Sequence, residues 1–360
     1  MRSLLVEDGI GRAVDFVRWR RINALTDMQS LLPVLREWTS EYPLYVGEIP
    51  FVTGPKKVYL VRFASNSVLL RRYYSQFPVL HNLLEYQHDL AGFLTAKSLP
   101  VVCPLSTKNS GTLIIYEEQL WSLSPFLSGW RVENLVPDIF KRHYLRQLGQ
   151  GLADFHRATC AWEQTHDPHA KLFGQRTATW YLRQFLKLSH AQFPQASTQL
   201  QEVAVRIASC LEKWIRSEQY KSVEALPKTH LHGDFTFKNV LFRHGQISAI
   251  LDLELAYFGY RLDDIFITMY GIKNKMVYPQ ISTNVLVREI LAGYQSVELL
   301  ETDELDLFDS ALSYFCVRKL WEILSHSRYP ENHIDLASVQ RIAEQALRLV
   351  DSSSNHKLRQ

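Results

Sequence analysis

Three oxygen-bearing side chains lie close together in one part of the sequence. Asp234 stands five residues before Asn239 in LHGDFTFKNVLF, and Asp252 follows Asn239 by thirteen residues in LDLE. A carboxylate can orient and deprotonate an attacking hydroxyl, and carboxylate and amide oxygens are ligands that Mg²⁺ prefers. Phosphoryl transfer needs both, because the metal ion must also be held against the nucleotide phosphates. The residue types and their spacing therefore fit a phosphoryl-transfer site.

A polar turn is the alternative for Asp234 or Asn239 taken alone, because both residue types hydrogen-bond to nearby backbone in turns. The segments that follow favour the chemical interpretation. VLFRH and ISAILDL have the pattern of two short strands joined by a turn at His244 and Gly245, so Asn239 and Asp252 are predicted on adjacent loops.

The sequence resembles the aminoglycoside phosphotransferase and choline kinase family, which shares the protein-kinase-like fold. The match covers HGDFTFKN, from His232 to Asn239, and DLE, from Asp252 to Glu254. By that resemblance Asp234 is the catalytic base and His232 supports the catalytic loop. Asn239 and Asp252 are then the magnesium ligands. Glu254 either reaches a second magnesium ion or only lines the pocket.

Two further segments resemble the same family. Residues 152–156, LADFH, are similar to a helix that usually ends in Leu-His, and residues 260–265, YRLDDI, are similar to the segment after the metal-binding aspartate. In that family Asp264 would brace the catalytic loop. The longer stretch ELAYFGYRLDDI looks most like the choline and ethanolamine kinase version.

The first third of the chain has the pattern of a small lobe. Residues 42–74 alternate as three strands, residues 78–98 have the apolar spacing of an amphipathic helix, and residues 111–127 predict two further strands. Helical periodicity dominates the rest of the chain, including residues 303–325. The predicted fold class is α+β, a bilobal protein-kinase-like fold with a small antiparallel-sheet N-lobe and a helix-rich C-lobe.

These patterns divide the chain into four parts. Residues 1–41 are an N-terminal extension with a predicted helix from Met28 to Trp38, and residues 42–127 form the nucleotide-binding N-lobe. Residues 128–351 form the helical C-lobe, with the catalytic loop and the acceptor site. The polar residues 352–360 are expected to be disordered.

A kinase-like N-lobe needs a cation on its third strand to pair with the nucleotide phosphates, and the family usually places lysine there. Here the strand VLLRR offers arginine. The alternation of side chains and the family pattern favour Arg71, with Arg72 on the opposite face. A solvated strand cation is the alternative for Arg71. Glu85 on the following helix is the available carboxylate partner, and its role stays open.

The loop between the first two strands, VTGPKK, is expected to cover the phosphates and contains Gly54 but no GxGxxG motif. Alternatively, Gly54 only turns a hairpin, and Lys56 and Lys57 are solvated. By resemblance, the adenine ring is expected at the backbone of the link that includes Ser124 and Phe126.

The acceptor pocket has two weak cues. Tyr314, Phe315 and Trp321 lie near helical spacing and could face an ammonium group, but core packing is the favoured interpretation. Residues 301–309, ETDELDLFD, could attract an amine-rich acceptor. The favoured alternative is that Thr302 caps a helix whose first turn is acidic.

Composition limits the partners. Forty basic against 37 acidic residues give a formal charge of +3, which is too balanced to indicate a nucleic-acid partner. The four cysteines form no CxxC pair, so neither a zinc site nor a disulfide framework is predicted. No apolar run approaches the length of a membrane span, and a cytoplasmic protein without a membrane partner is expected.

The combined hypothesis is ATP- and Mg²⁺-dependent phosphorylation of a hydroxyl on an amino alcohol, an aminoglycoside-like compound or a related metabolite. GTP is an alternative donor, and neither the acceptor's identity nor the oligomeric state follows from the sequence. Protein substrates are disfavoured, because the DFG and APE motifs of protein kinases are absent. The alternative from another class is a kinase-like nucleotide-binding module with weak or no catalysis.

Overall fold

The computed structural model describes residues 20–21, 26–49, 56–74, 79–127, 129, 138–162, 177–189, 198–274, 282–326 and 336–348. Gly54 of the expected phosphate loop and the tail 352–360 lie outside these residues. The described residues form a sheet region followed by a longer, mainly helical region.

A six-stranded antiparallel sheet forms the first region. Its strands are β1 (Arg20–Arg21), β2 (Tyr45–Glu48), β3 (Lys56–Arg62), β4 (Ser67–Tyr73), β5 (Leu113–Tyr116) and β6 (Gln119–Pro125). In space they follow the order β1-β2-β3-β4-β6-β5. Strands β2 to β6 lie where the alternating patterns predicted them. The sheet nevertheless begins earlier than expected, because β1 belongs to the N-terminal extension and pairs with β2.

Helix α1 (Thr26–Leu35) packs on this sheet. Leu31 and Val34 are almost fully buried and share an apolar cluster with Val61 and Leu70 of the strands. Burying a leucine or valine side chain stabilises a fold by roughly 1.5–3 kcal/mol. The described part of the N-terminal extension is therefore an integral layer of the sheet region.

Helix α2 (Val79–Ala96) interrupts the sheet and leads to a backbone link with the helical region. The N–H of Ile250 is donated to the Pro100 carbonyl at 2.7 Å, and the N–H of Val102 is donated to the Ile250 carbonyl at 3.0 Å. These hydrogen bonds attach the segment after α2 to the strand that precedes Asp252.

The second region is mainly helical. Its helices are α3 (Asp138–Thr159), α4 (Ala178–Ser189), α5 (Thr198–Ile215), α6 (Glu218–Glu224), α7 (Arg261–Asn274), α8 (Thr283–Gln295), α9 (Thr302–Asp306), α10 (Phe308–His326) and α11 (Leu336–Leu347). Two small antiparallel sheets are formed by β7 (Lys228–Leu231) with β10 (Tyr257–Tyr260) and by β8 (Val240–Arg243) with β9 (Gln246–Ile250). Among the helices that the structure describes, none has the length and apolar character needed to cross a bilayer.

Helices α3 and α8 approach each other closely at two glycines. A Cβ atom at Gly149 would clash with the carbonyl oxygen of Ile290, and a Cβ atom at Gly293 would clash with the backbone of Arg146. This close approach places Tyr294, which is fully buried, against α3. The contact thereby determines where α3 and α8 present polar side chains toward the candidate site.

The acidic segment 301–309 differs from its prediction. The helix expected through it is divided into α9 and α10, and Glu301, not Thr302, is the N-terminal cap of α9. Glu304 accepts the N–H of Glu301 at 2.8 Å and the Nε–H of Arg261 at 2.6 Å. Its side chain is fully buried. Glu304 is thus an internal partner of an arginine at the start of α7 and is not displayed to an acceptor.

Removing the charge of Glu304 should destabilise the fold. Glu304→Gln removes the buried ionic partner of the Arg261 guanidinium, whose side chain is 9% exposed, and leaves it only the partly exposed Glu298 at 3.5 Å. Breaking a buried ion pair costs about 3 kcal/mol. Glu212→Gln is the control, because Glu212 pairs with Arg216 on an exposed surface and should change stability by less than about 0.5 kcal/mol. Urea unfolding at neutral pH measures both variants, and equal stabilities would contradict the role given to Glu304.

Candidate active site

Asn239 and Asp252 lie at the same end of the β8–β9 hairpin. Val240 pairs with Ile250 in the ladder, and the N–H of Leu251 is donated to the Asn239 carbonyl at 2.8 Å. Asn239 immediately precedes β8, and Asp252 follows β9 by two residues. Backbone pairing therefore brings these two predicted magnesium ligands to neighbouring positions.

Asp234 lies beside Asn239. The side-chain amide of Asn239 donates to Asp234 Oδ2 at 3.0 Å and to the Asp234 carbonyl at 2.9 Å. A short 3₁₀ turn, Phe237–Asn239, closes the loop between them. Lys238 in the same turn pairs with the Asp234 carboxylate, a contact that was not predicted. With its nitrogen directed to Asp234, Asn239 has Oδ1 as the atom that can ligate a cation.

His232 is fully buried behind Asp234. Its Nδ1 accepts the Asp234 N–H at 3.2 Å, and its Nε2 lies 2.9 Å from the Leu251 carbonyl oxygen. One accepting and one donating nitrogen match the neutral imidazole with its proton on Nε2. Burial lowers the pKa of His232, which agrees with the neutral form. The histidine therefore connects the Asp234 loop to the residue before Asp252.

Asp264 holds the backbone of the same loop. Its Oδ2 accepts the N–H of His232 at 2.7 Å, and its Oδ1 accepts the N–H of Gly233 at 2.8 Å. Gly233 has a φ of +78°, and a Cβ atom there would clash with the Leu255 carbonyl. Both the dihedral angle and the available space therefore require glycine. Asp264 and Gly233 together determine how the chain enters Asp234.

A buried chain of polar groups extends from Asp264. His156 Nε2 lies 3.1 Å from Asp264 Oδ2, and His156 Nδ1 lies 2.8 Å from the Tyr294 hydroxyl. His156 ends the LADFH segment whose family resemblance is described above. Tyr294 had no signal in the sequence, because a tyrosine in a helical apolar stripe predicts only packing. The α3–α8 contact is what brings the tyrosine to the histidine.

Asp252 and Glu254 form the acidic edge of the site. Asp252 has a φ of +62°, a left-handed conformation that is uncommon outside glycine and is often found at functional sites. Lys56 Nζ lies 2.5 Å from Glu254 Oε1 and 3.9 Å from Asp252 Oδ2. Burial and the Asp252 charge raise the pKa of Glu254, while Lys56 opposes the rise. Solvation was the alternative considered for Lys56, but its side chain is 12% exposed and contacts both carboxylates.

The chemistry of these side chains fits Mg²⁺. Asn239, Asp252 and Glu254 offer hard oxygen atoms. The Lys56 ammonium pairs with both carboxylates, which shows that this position attracts a cation. Mg²⁺ is usually bound by one or two carboxylates and completes its octahedron with waters and substrate phosphates. A large set of protein ligands is therefore not needed.

Arg71 is held by the sheet. Its Nη1 donates to Ser124 Oγ at 2.5 Å, and Ser124 is itself buried in β6. Arg72 has its guanidinium 5.5 Å from the centre of the Trp121 ring, in the apolar cluster beneath α1. The two arginines therefore belong to different faces, as the alternation along β4 predicted.

On helix α2, His88 and not Glu85 is the residue near Arg71. Glu85 lies 3.3 Å from His81 Nδ1 and its side chain is 55% exposed, so the structure does not bring it to Arg71. His88 is buried and its Nδ1 lies 2.7 Å from Thr112 Oγ1. Burial and, to a smaller extent, the Arg71 charge lower the pKa of His88 to about 4. A neutral histidine therefore accompanies Arg71 at neutral pH.

One backbone donor of the expected adenine link is already engaged within the sheet region. Phe126 is exposed, but its backbone N–H is donated to the Ser67 carbonyl at 3.0 Å. The Ser124 hydroxyl is likewise engaged, by Arg71. An adenine ring at this link would therefore need a group other than the Phe126 N–H.

The aromatic residues considered for an ammonium group lie in the core. Tyr314, Phe315 and Trp321 are all buried. Arg318 lies 4.9 Å from the ring centre of Tyr314 and 5.9 Å from that of Phe315, and it pairs with the buried Asp263. The cation over the Tyr314 and Phe315 rings is therefore Arg318 of the same chain, which agrees with the favoured packing interpretation.

Residues 55–308 match the model of the phosphotransferase enzyme family, APH. The match spans more than half of the chain and includes all the groups described around Asp234. The chain belongs to the phosphotransferase enzyme family. It is an enzyme of the small-molecule kinase type, and the resemblance carried by HGDFTFKN and DLE is confirmed. No curated protein gives a match.

Several solved structures share the fold. An amicoumacin kinase in complex with AMP-PNP, Ca²⁺ and amicoumacin is 14% identical, with a TM-score of 0.64 over 91% of this chain and 94% of that chain. A spectinomycin phosphotransferase in complex with ADP and spectinomycin is 16% identical, with a TM-score of 0.56 over 89% and 98%. A microcompartment-associated aminopropanol kinase is 15% identical, with a TM-score of 0.56 over 91% and 98%. These similarities confirm the predicted kinase-like α+β fold.

His88 should make the fold sensitive to mild acid. The unfolded chain protonates this histidine near pH 6.5, whereas the folded chain does so only near pH 4. Its contribution to stability is therefore complete above pH 6.5 and is lost as the pH falls toward 4. Between neutral pH and pH about 5, wild type should lose about 2 kcal/mol more unfolding free energy than His88→Gln. Urea unfolding at both pH values tests this, and parallel losses in the two proteins would contradict it.

Proposed function

We propose that the enzyme transfers the γ-phosphoryl group of ATP to a hydroxyl group of a small molecule. The observation that carries this proposal is the meeting of Asp234, Asn239 and Asp252 at one end of the β8–β9 hairpin, with the Asn239 amide 3.0 Å from the Asp234 carboxylate. A carboxylate base and hard oxygen ligands for a divalent cation are the two parts that this reaction requires.

Asp234 is the proposed base. Its carboxylate accepts the proton of the acceptor hydroxyl as the hydroxyl oxygen bonds to the γ-phosphorus. The bond from that phosphorus to the β–γ bridging oxygen breaks, and ADP leaves with that oxygen. The Asn239 amide fixes the orientation of that carboxylate, while Asp264 and His232 hold the loop backbone through buried hydrogen bonds. Because the phosphoryl group passes through a loose transition state, most of the catalysis comes from such positioning and from charge stabilisation.

Asn239 and Asp252 are the proposed magnesium ligands, and Glu254 is a candidate for a second ion. Bound Mg²⁺ would neutralise the charge on the nucleotide phosphates and align them for in-line transfer. The complexes of related folds with AMP-PNP and Ca²⁺ and with ADP support the use of an adenine nucleotide and a divalent cation. They favour ATP over GTP as the donor.

The proposed acceptor is an amino alcohol, an aminoglycoside-like compound or a related hydroxyl-bearing metabolite. Structures with this fold are named for amicoumacin, spectinomycin and aminopropanol, which supports a small organic acceptor. The buried ring pair Tyr314 and Phe315, already covered by Arg318, gives no support to a separate ammonium cage. A coupled ADP-release screen over choline, ethanolamine, homoserine, aminopropanol and spectinomycin would identify the class.

Asp234→Asn should slow turnover strongly while leaving nucleotide binding intact. The amide keeps the size of the side chain but cannot take the hydroxyl proton, so kcat should fall by about 10²- to 10⁴-fold. Asp154→Asn is the matched control, because Asp154 pairs with Arg157 on an exposed face of α3 and should keep wild-type turnover. Phosphorus NMR with the accepted substrate measures transfer, and calorimetry measures ADP affinity.

Retention of more than about a tenth of wild-type turnover by Asp234→Asn would exclude Asp234 as the base, because general-base catalysis contributes at least about 10²-fold. If neither wild type nor Asp154→Asn transferred phosphate to any hydroxyl compound, while both bound nucleotide, the phosphotransfer proposal would be replaced by nucleotide binding alone.

A further inference from the structure

Lys56 is the first residue of β3 and reaches into the acidic edge of the site. Its ammonium lies 2.5 Å from Glu254 Oε1 and 3.9 Å from Asp252 Oδ2, and its side chain is 12% exposed. Long charged side chains normally keep their heads in water. Here the ammonium is placed instead at two carboxylates that the proposed function assigns to metal binding.

The register of the sheet places Lys56 and Arg71 on one face. Val58 of β3 lies directly opposite Arg71 of β4, so these two side chains point to the same side. Lys56 is two residues before Val58, and side chains two residues apart along a strand share a face. The face turned toward Asp252 therefore carries two cations from adjacent strands.

The two cations differ in what holds them. The Arg71 guanidinium donates to the hydroxyl of the buried Ser124 at 2.5 Å, so it is attached to the sheet itself. Lys56 is attached to Glu254 and Asp252, which are beyond the sheet. An ammonium on a flexible four-carbon stem can change partners more readily than a planar guanidinium fixed by a buried acceptor.

We propose that Lys56 is the phosphate-binding cation of the enzyme, and that in the nucleotide-free protein the same ammonium neutralises Asp252 and Glu254. This inference rests on the proposed function, because it takes the nucleotide phosphates to lie against those carboxylates with the metal ion. When metal and nucleotide enter together, the ammonium leaves the carboxylates and binds phosphate oxygens. Arg71 instead connects β4 to β6 through its hydrogen bond to Ser124.

Loss of Lys56 should change two affinities in opposite directions. Without the ammonium, Asp252 and Glu254 lose their counter-charge, so a divalent cation alone should bind several-fold more tightly. Without the charge-assisted contact, Mg²⁺·ADP should bind roughly 10- to 100-fold more weakly. A residue that merely stabilised the strand would weaken both.

The test compares Lys56→Met with wild type and with Lys57→Met. Lys57 is the neighbouring lysine on the opposite side of β3, 3.5 Å from Glu48 and 42% exposed in its side chain, so its loss should leave both affinities unchanged. Calorimetry measures ADP in the presence of Mg²⁺, and adenosine serves as the ligand without phosphates. Mn²⁺ titration followed by electron paramagnetic resonance measures divalent-cation binding without nucleotide.

We expect Lys56→Met to weaken ADP binding, to leave adenosine binding unchanged and to tighten Mn²⁺ binding. Lys56→Arg keeps the charge and should recover part of the ADP affinity, which guards against a folding defect in the methionine variant. ADP affinity within twofold of wild type in Lys56→Met, or an equal loss for adenosine, would overturn the inference. Failure of the wild type to bind Mg²⁺·ADP would instead contradict the proposed function, and with it the phosphate role.

Discussion

The Asp264 carboxylate accepts the backbone N–H groups of His232 and Gly233, and the rest of the candidate site depends on this interaction. It is fully buried, so its charge is stabilised by these donors and by the start of α7 rather than by water. Because the hydrogen bonds are made to backbone, they hold the path of the chain and not only one side chain. The packing of α7, which carries Asp264, therefore determines the position of Asp234.

The two sides of the site are stabilised by different kinds of interaction. On the helical side, His232, Asn239 and Asp264 form directional hydrogen bonds of 2.7 to 3.2 Å between fixed groups. On the sheet side, the contact is an ion pair between Lys56 and Glu254 on different elements. Hydrogen-bonded groups resist displacement, whereas an ion pair can exchange one anion for another. Such a division suits the proposed function, in which the Asp234 loop is held in place for the reaction and the Lys56 edge binds and releases nucleotide.

Local sequence patterns predicted the elements well, because strand alternation and helical periodicity depend on neighbouring residues. Strands β2 to β6 and the hairpin that separates Asn239 from Asp252 lie where the pattern placed them. Apart from the cap of α9 at Glu301, which is local, what the patterns missed or left open is pairing between distant elements. Glu85 and His88 lie on the same helix three residues apart, and only the position of α2 along its axis decides which of them lies near Arg71. The contacts of Lys56 and Tyr294 also depend on tertiary packing, for which local periodicity has no signal.

The glycine contact between α3 and α8 has a consequence for how the enzyme can vary. Gly149 and Gly293 each face backbone atoms of the other helix, not its side chains. A smaller residue on the opposite helix would therefore create no room for a larger residue at either position. Compensating pairs of substitutions should be unable to arise there, and variants recovered by random mutagenesis with selection for activity should keep glycine at both positions, however freely the neighbouring helix surfaces change.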